Sequence, residues 1–217
     1  MLWVERKADE NSVDSLSRSL SISPALSRLL HLRGFDFSDS ALDFLKPKLA
    51  HLADPFEIPR LREAVLRIIK SIESREGILL VGDYDVDGIT STVLVKKILA
   101  TLGSDPFYVI PRRKDEGYGL TKEILARGLK LGDVKLIIAL DCGTNSFEEA
   151  KILAGKGIDL VVVDHHQAKE ELPEEPIMLN PHLHPDEGEP WRNLCTAGLA
   201  FKLIHGLIKE LRERDCS

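Results

Sequence analysis

Acidic and imidazole side chains recur directly after short apolar runs in this sequence. Asp83, Asp85 and Asp87 follow the run Ile78–Val81, Asp141 follows Leu136–Leu140, and Asp164, His165 and His166 follow Leu160–Val163. A single Asp in such a place is ordinarily a turn former or a helix cap. Three such places call for a common account. If the runs are neighbouring parallel strands, their ends converge in the crevice outside the carboxyl edge of the sheet, where open α/β sheets bind ligands. Carboxylates gathered there repel one another, and one or two divalent cations relieve that repulsion. Two metal ions roughly 3.5–4 Å apart are a standard device for cleaving phosphoesters. Mixed Asp and His donors suit Mn²⁺ or a similar ion better than Mg²⁺ or Ca²⁺ alone. The spelling Asp83-x-Asp85-x-Asp87-Gly88 also matches the start of an EF-hand calcium loop. The preceding strand, and Leu94 in place of the Glu expected at the loop's last ligand position, exclude that reading.

The elements that must carry these groups can be read from periodicity. From Gly77 onward strand and helix patterns alternate. Strands are expected at 78–81, 107–110, 136–140 and 160–163, with a fifth at 177–179. Their continuous apolar runs fit strands buried on both faces. Helices are expected at 89–102, 120–130 and 196–210, and Ser146 with Glu149 has capping-box spacing at the start of another. Thr90 and Ser91 are expected to open the first of these, with its N-terminus facing the site. This order predicts an α/β fold, a mostly parallel sheet with helices on both faces. Residues 1–75 read as a helical N-terminal extension. Ser23-Pro24 is an N-cap and N1 pair, Gly34 closes that helix, a second helix spans about 39–45, and a longer one runs from about Arg60 to Ser74. The domain reading is therefore 1–75 for the extension and 76–217 for the α/β part.

Composition limits the function classes. The 217 residues are 43% hydrophobic and 29% charged, the balance of a globular protein, and no apolar run reaches bilayer length. The start MLWVERKADE lacks a basic segment followed by an apolar one, and three cysteines without metal-type spacing fit a reducing compartment, so the expected location is cytoplasmic. The net charge of −6 weighs against a module that grips nucleic acid by charge alone. It weighs less against a nuclease whose carboxylates are neutralised by cations. The first strand is not followed by Gly-x-Gly-x-x-Gly, which disfavours a dinucleotide-binding domain.

The ordered set of motifs resembles the DHH phosphoesterase family, in its RecJ-type branch. Gly82-Asp83-Tyr84-Asp85-Val86-Asp87-Gly88-Ile89-Thr90-Ser91 is similar to the first motif of that branch, and Glu116-Gly117-Tyr118-Gly119-Leu120 after Pro111-Arg112-Arg113 to the second. Asp141-Cys142-Gly143-Thr144 resembles the third, and Asp164-His165-His166 is the signature that names the family. Asn180-Pro181, the segment Ala197–Phe201, and the prefix with Arg33-Gly34, Ala41–Pro47 and Asp54-Pro55-Phe56 are also similar. The resemblance implies a two-metal phosphodiesterase, a single-stranded-DNA-specific 5′→3′ exonuclease of repair and recombination that uses two Mn²⁺ or Mg²⁺ ions. It implies Asp83, Asp85, Asp87, Asp141 and His165 as metal ligands. Asp85, Asp87, Asp141, His165 and His166 would be the catalytic set, with His166 toward the scissile phosphate and Asp164 orienting an imidazole. Family members carry a further acidic ligand in a Gly-Thr-Val-Ala-Asp-like stretch and a second, smaller domain. Neither lies within these residues, so a missing C-terminal half or a partner chain is expected.

Other residues have competing readings. Arg112, Arg113 and Lys114 suit contacts to a DNA backbone, or form a solvated loop. Tyr118 suits stacking on a base, or packs in a tight turn. His182 and His184 read as a solvated loop, His31 and His205 as ordinary helix residues, and Cys142 as a packing residue rather than a nucleophile. The alternatives to the DNA exonuclease are a DHH phosphoesterase acting on short oligoribonucleotides or small phosphorylated nucleotides, and a non-catalytic replication scaffold of the same fold.

Overall fold

Among the described residues five apolar strands form one sheet: β1 (Gly77–Gly82), β2 (Phe107–Val109), β3 (Val134–Leu140), β4 (Asp159–Val163) and β5 (Ile177–Leu179). A computed structural model describes residues 4, 6–112, 116–117, 119–169, 176–184 and 190–215. All four strand pairings are parallel, and the spatial order is β2-β1-β3-β4-β5. In this order the chain moves outward from β1 to β2, then returns past β1 to β3. The crevice between β1 and β3 is thus the point where the winding reverses, and it is where such sheets bind ligands.

The reversal also distributes the helices. α4 (Leu61–Glu73), α5 (Val86–Thr101) and α8 (Thr196–Asp215) cover one face, where Ile68, Leu99 and Leu203 pack on Leu80, Ile138 and Val163. α6 (Lys122–Gly128) and α7 (Phe147–Gly155) cover the other, where Ile124 and Leu153 pack on Leu79, Ile137 and Val162. Alternate residues of each strand therefore enter opposite cores, so hydropathy along the strand is continuous.

Two compact units are present, Met1–Ala53 and Asp54–Ser217. The first contains α1 (Glu10–Leu20), α2 (Pro24–His31) and α3 (Ser38–Leu45) around Leu16, Leu30 and Ala41. Asp9 caps α1 and Ser23 caps α2 through side-chain oxygens. The second unit begins before α4, because the apolar stripe of α4 is part of the sheet's core. The change of hydropathy pattern at Gly77 marks the first strand of that unit. Among the described residues, no helix is long and apolar enough to cross a membrane.

Two local expectations are corrected. α5 begins at Val86, three residues before Ile89, because the Asp85 side chain accepts the Gly88 N–H at 3.0 Å and caps it. Thr90 and Ser91 therefore lie inside the helix, where the Ser91 hydroxyl donates to the Asp87 carbonyl. Ser146 does precede α7 but makes no side-chain cap bond; its hydroxyl donates to the Leu120 carbonyl at 3.0 Å and ties the start of α7 to the loop before α6.

The early start of α5 presses Gly88 against the turn that follows β1. A Cβ at Gly88 would lie 2.6–2.8 Å from the backbone O, N and C of Asp83, whereas one at Gly155 would meet nothing within 4 Å. Gly88→Ala is expected to cost about 1–3 kcal/mol by overpacking. Gly155→Ala is expected to be neutral or to stabilise by up to about 1 kcal/mol through helix propensity. Denaturant unfolding of both variants measures the contrast.

Candidate metal centre

Parallel register places the polar groups in a row. Gly82 pairs with Leu140, Leu140 with Val163, and Val163 with Leu179. The ladder continues one residue further: Asp83 N–H donates to Leu140, Asp141 N–H to Val163 and Asp164 N–H to Leu179. Asp83, Asp141, Asp164 and Asn180 thus stand at one level across four adjacent strands, all buried. Asp141 takes a left-handed backbone, φ +65°, which an L residue adopts only when its surroundings require it.

The row and the turn after β1 bring two groups of donors together. Ligand atoms of Asp83, Asp85 and Asp141 lie within 4.8 Å of one another, as do those of Asp141, His165 and His166. Asp141 belongs to both groups. Burial and the nearby carboxylates Asp87 and Asp85 push the Asp141 carboxyl up to about 6, against a hydrogen bond from Thr196 that favours ionisation. Burial also raises Asp83, helped by Asp85. The N–H of Gly88 holds Asp85 below the usual carboxylate range. Asp83 Oδ1 is buried with no hydrogen-bond partner among the described residues. Crowded carboxylates, a raised acid and an unpartnered buried oxygen are the features a divalent cation satisfies, so the donor set fits one.

Asp87 is placed differently from Asp83 and Asp85. Its Oδ2 accepts the Thr196 N–H and its Oδ1 the Ala197 N–H, both at 2.8 Å, so it caps α8. It falls in neither donor group, but His165 Nε2 lies 3.6 Å from its Oδ2 and 3.5 Å from Asp141 Oδ1. The N-termini of α5 and α8 both face this cluster, and their partial positive charge offsets part of its repulsion.

The imidazole that Asp164 orients is His166. Asp164 Oδ1 accepts the N–H groups of His165 and His166 and lies 2.7 Å from His166 Nδ1. Burial opposes ionisation of Asp164, yet the bonds from His166 and Thr144 outweigh it and hold the carboxyl below its usual range. The same bond raises His166 above the ordinary imidazole value, against the opposing effect of burial.

Three residues with no role in the sequence reading complete the support. The Asn180 amide donates to Thr144 Oγ1 and to the His166 carbonyl, both at 2.9 Å, and Thr144 N–H donates to Asp164 Oδ2. Thr196 Oγ1 donates to Asp141 Oδ1 at 2.8 Å. Asn180 and Thr196 sit in or beside motif-like segments, but nothing in their spacing reveals which strand end they reach.

Arg112 is exposed, and its N–H donates to Glu116, which also pairs with Arg127. Arg113, Lys114 and Tyr118 lie outside the described residues. Cys142 is buried with its thiol directed at the Val81 carbonyl, and burial pushes that thiol up, which fits a packing residue. His182 is exposed, and its Nδ1 lies 3.3 Å from Gln167 Nε2. His31 lies within hydrogen-bond distance of the Asp9 N–H and the Asp36 carboxylate, on the outside of the first unit.

The chain is similar to the single-stranded-DNA-specific exonuclease RecJ of Bacillus subtilis strain 168, at 38% identity over 211 residues covering 97% of this chain and 27% of that protein. It is 32% identical over 193 residues to the RecJ of Thermus thermophilus, covering 89% of this chain and 27% of that protein. The crystal structure of RecJ in complex with Mn²⁺ from Thermus thermophilus superposes with a TM-score of 0.74 at 28% identity, over 93% of this chain and 28% of that one. A crystal structure of exonuclease RecJ bound to manganese gives a TM-score of 0.65 at 33% identity, over 71% and 38%. The chain spans about a quarter of the length of these curated relatives. The family model for the N-terminal domain of the DHH family matches residues 77–216, from the first strand through the last helix, and the chain belongs to the DHH family.

Proposed function

We propose that this chain is the metal-binding catalytic part of a cytoplasmic single-stranded-DNA-specific 5′→3′ exonuclease of DNA repair and recombination. The observation that carries the reading is the row Asp83–Asp141–Asp164 at the β1/β3 crevice, joined by Asp85 and His165. The relatives of similar sequence are single-stranded-DNA-specific exonucleases, and two structures of similar fold hold manganese.

Asp83, Asp85, Asp141 and His165 would hold Mn²⁺ or Mg²⁺. Asp87 would join them through the lone pairs that its two helix-cap bonds leave. When bound, such ions supply positive charge at a phosphodiester that the side chains alone cannot. Asp141 serves both donor groups, which suits two neighbouring ions. Asp164 holds the His166 ring through Nδ1, and a proton on that imidazole would stabilise charge developing on a phosphoryl oxygen. Arg112 and Arg113 would contact the DNA backbone and Tyr118 would stack on a base.

The decisive test offers the chain, with Mn²⁺, a long single strand labelled at the 5′ or the 3′ end, a duplex and a dinucleotide. Release of mononucleotides from the 5′ end of the single strand alone is expected. Cleavage confined to the dinucleotide would replace this reading with a small-substrate phosphoesterase. No heat of Mn²⁺ binding by calorimetry would replace it with a non-catalytic scaffold.

Two variants sharpen the roles. Asp141→Asn should abolish Mn²⁺ binding and lower cleavage by more than about 100-fold, beyond the roughly 10–100-fold typical of residues that only support a ligand. In metal-free buffer the same variant should be more stable by about 1–3 kcal/mol, because one charge leaves the cluster and Asn tolerates a left-handed backbone. His166→Ala should keep Mn²⁺ affinity within a few-fold and lose about 100-fold or more in kcat, measured by calorimetry beside single-turnover cleavage.

A further inference from the structure

Thr196 opens α8, is fully buried, and touches two acids of the cluster at once. Its backbone N–H donates to Asp87 Oδ2 and its hydroxyl to Asp141 Oδ1, each at 2.8 Å. A hydroxyl in the first turn of a helix normally bonds back to its own backbone. Here it leaves its helix to reach the end of β3, 55 residues away in sequence. Asp141 is the acid shared by both donor groups, and its left-handed backbone does not by itself fix where the carboxylate points.

We propose that Thr196 is a positioning residue that aims the Asp141 carboxylate at a bound divalent cation. The proposal rests on reading the cluster as a cation site. A carboxylate only accepts hydrogen bonds, so the hydroxyl must donate, and its proton takes one lone pair on Oδ1. That anchors the Asp141 carboxylate where its ligand atoms lie within 4.8 Å of those of Asp83 and Asp85, and of His165 and His166. The N–H of the same residue holds Asp87, so the hydroxyl's anchor point is fixed relative to α5. Hydrogen-bonded partners of metal-ligating carboxylates generally tune affinity in this way.

Three variants separate aiming from packing. Thr196→Val keeps the shape and the backbone N–H but removes the donor, Thr196→Ser keeps the donor, and Thr196→Ala removes both the donor and the methyl group. The readouts are Mn²⁺ affinity by calorimetry and the electron paramagnetic resonance line shape of bound Mn²⁺, with circular dichroism to check the fold. The expected result is an affinity loss of about 10–100-fold for Thr196→Val with an altered line shape, and Thr196→Ser within about threefold of the parent. If Thr196→Val does not fold, the same contrast between Thr196→Ala and Thr196→Ser decides. Parental affinity in Thr196→Val, or equal losses in Thr196→Val and Thr196→Ser, would overturn the proposal. Failure of the parent chain to bind Mn²⁺ would overturn the cation-site reading and this proposal with it, and differs from the other outcomes because no variant is involved.

Discussion

Like charges held close together are the constraint on which this structure turns. Asp83, Asp85 and Asp141 approach within 4.8 Å, and Asp83 and Asp141 are removed from water. Such a cluster costs free energy in the absence of a cation, and an uncommitted chain would avoid it. Here it is enforced by the parallel ladder, which extends past β1 and β3 and fixes the backbones of Asp83 and Asp141 by a hydrogen bond to the next strand, while Asp85 is held at the start of α5. The side chains have little freedom to move apart while the sheet is intact. The two helix N-termini and the hydroxyl of Thr196 reduce the cost without removing it.

The acids of the site differ in how many protein donors each one meets. Each oxygen of Asp87 accepts one backbone N–H, Asp141 Oδ1 accepts the Thr196 hydroxyl, and Asp83 Oδ1 has no protein partner among the described residues. Asp164 is the contrast. Its Oδ1 takes two N–H groups and the His166 ring, and its Oδ2 takes the Thr144 N–H, so its capacity is used within the fold. One row of similar residues thus divides into acids that belong to the carboxylate cluster and an acid that holds an imidazole. The division follows from how many donors surround each one.

Much of this could be read in the sequence because it depends on local order. Continuous apolar runs of strand length followed by Asp gave the strand ends, and alternation with helical periods gave a parallel sheet, which places all those ends on one edge. What periodicity does not contain is spatial neighbourhood. The order β2-β1-β3-β4-β5 decides that Asp83 lies beside Asp141, and that Asn180 reaches Thr144 and the His166 carbonyl. Thr196 is a common residue at the head of a helix, and its 55-residue reach to Asp141 leaves no trace in spacing. The start of α5 was displaced for a related reason. Asp85 reads both as a ligand and as a helix cap, and it caps while keeping its place in the cluster.

The double use of Asp85 and Asp87 argues that site and core cannot be separated in this fold. α5 is capped by one acid and α8 by the other, and both helices pack on the same face of the sheet through Leu99 and Leu203. Shifting either acid moves a helix terminus, and repacking that face moves an acid. The net charge of −6 fits the same logic. A protein that bound a polyanion by diffuse attraction would need a basic surface. One that engages a single phosphodiester at cations held by buried carboxylates needs positive charge at one point, and the surrounding protein need not be basic.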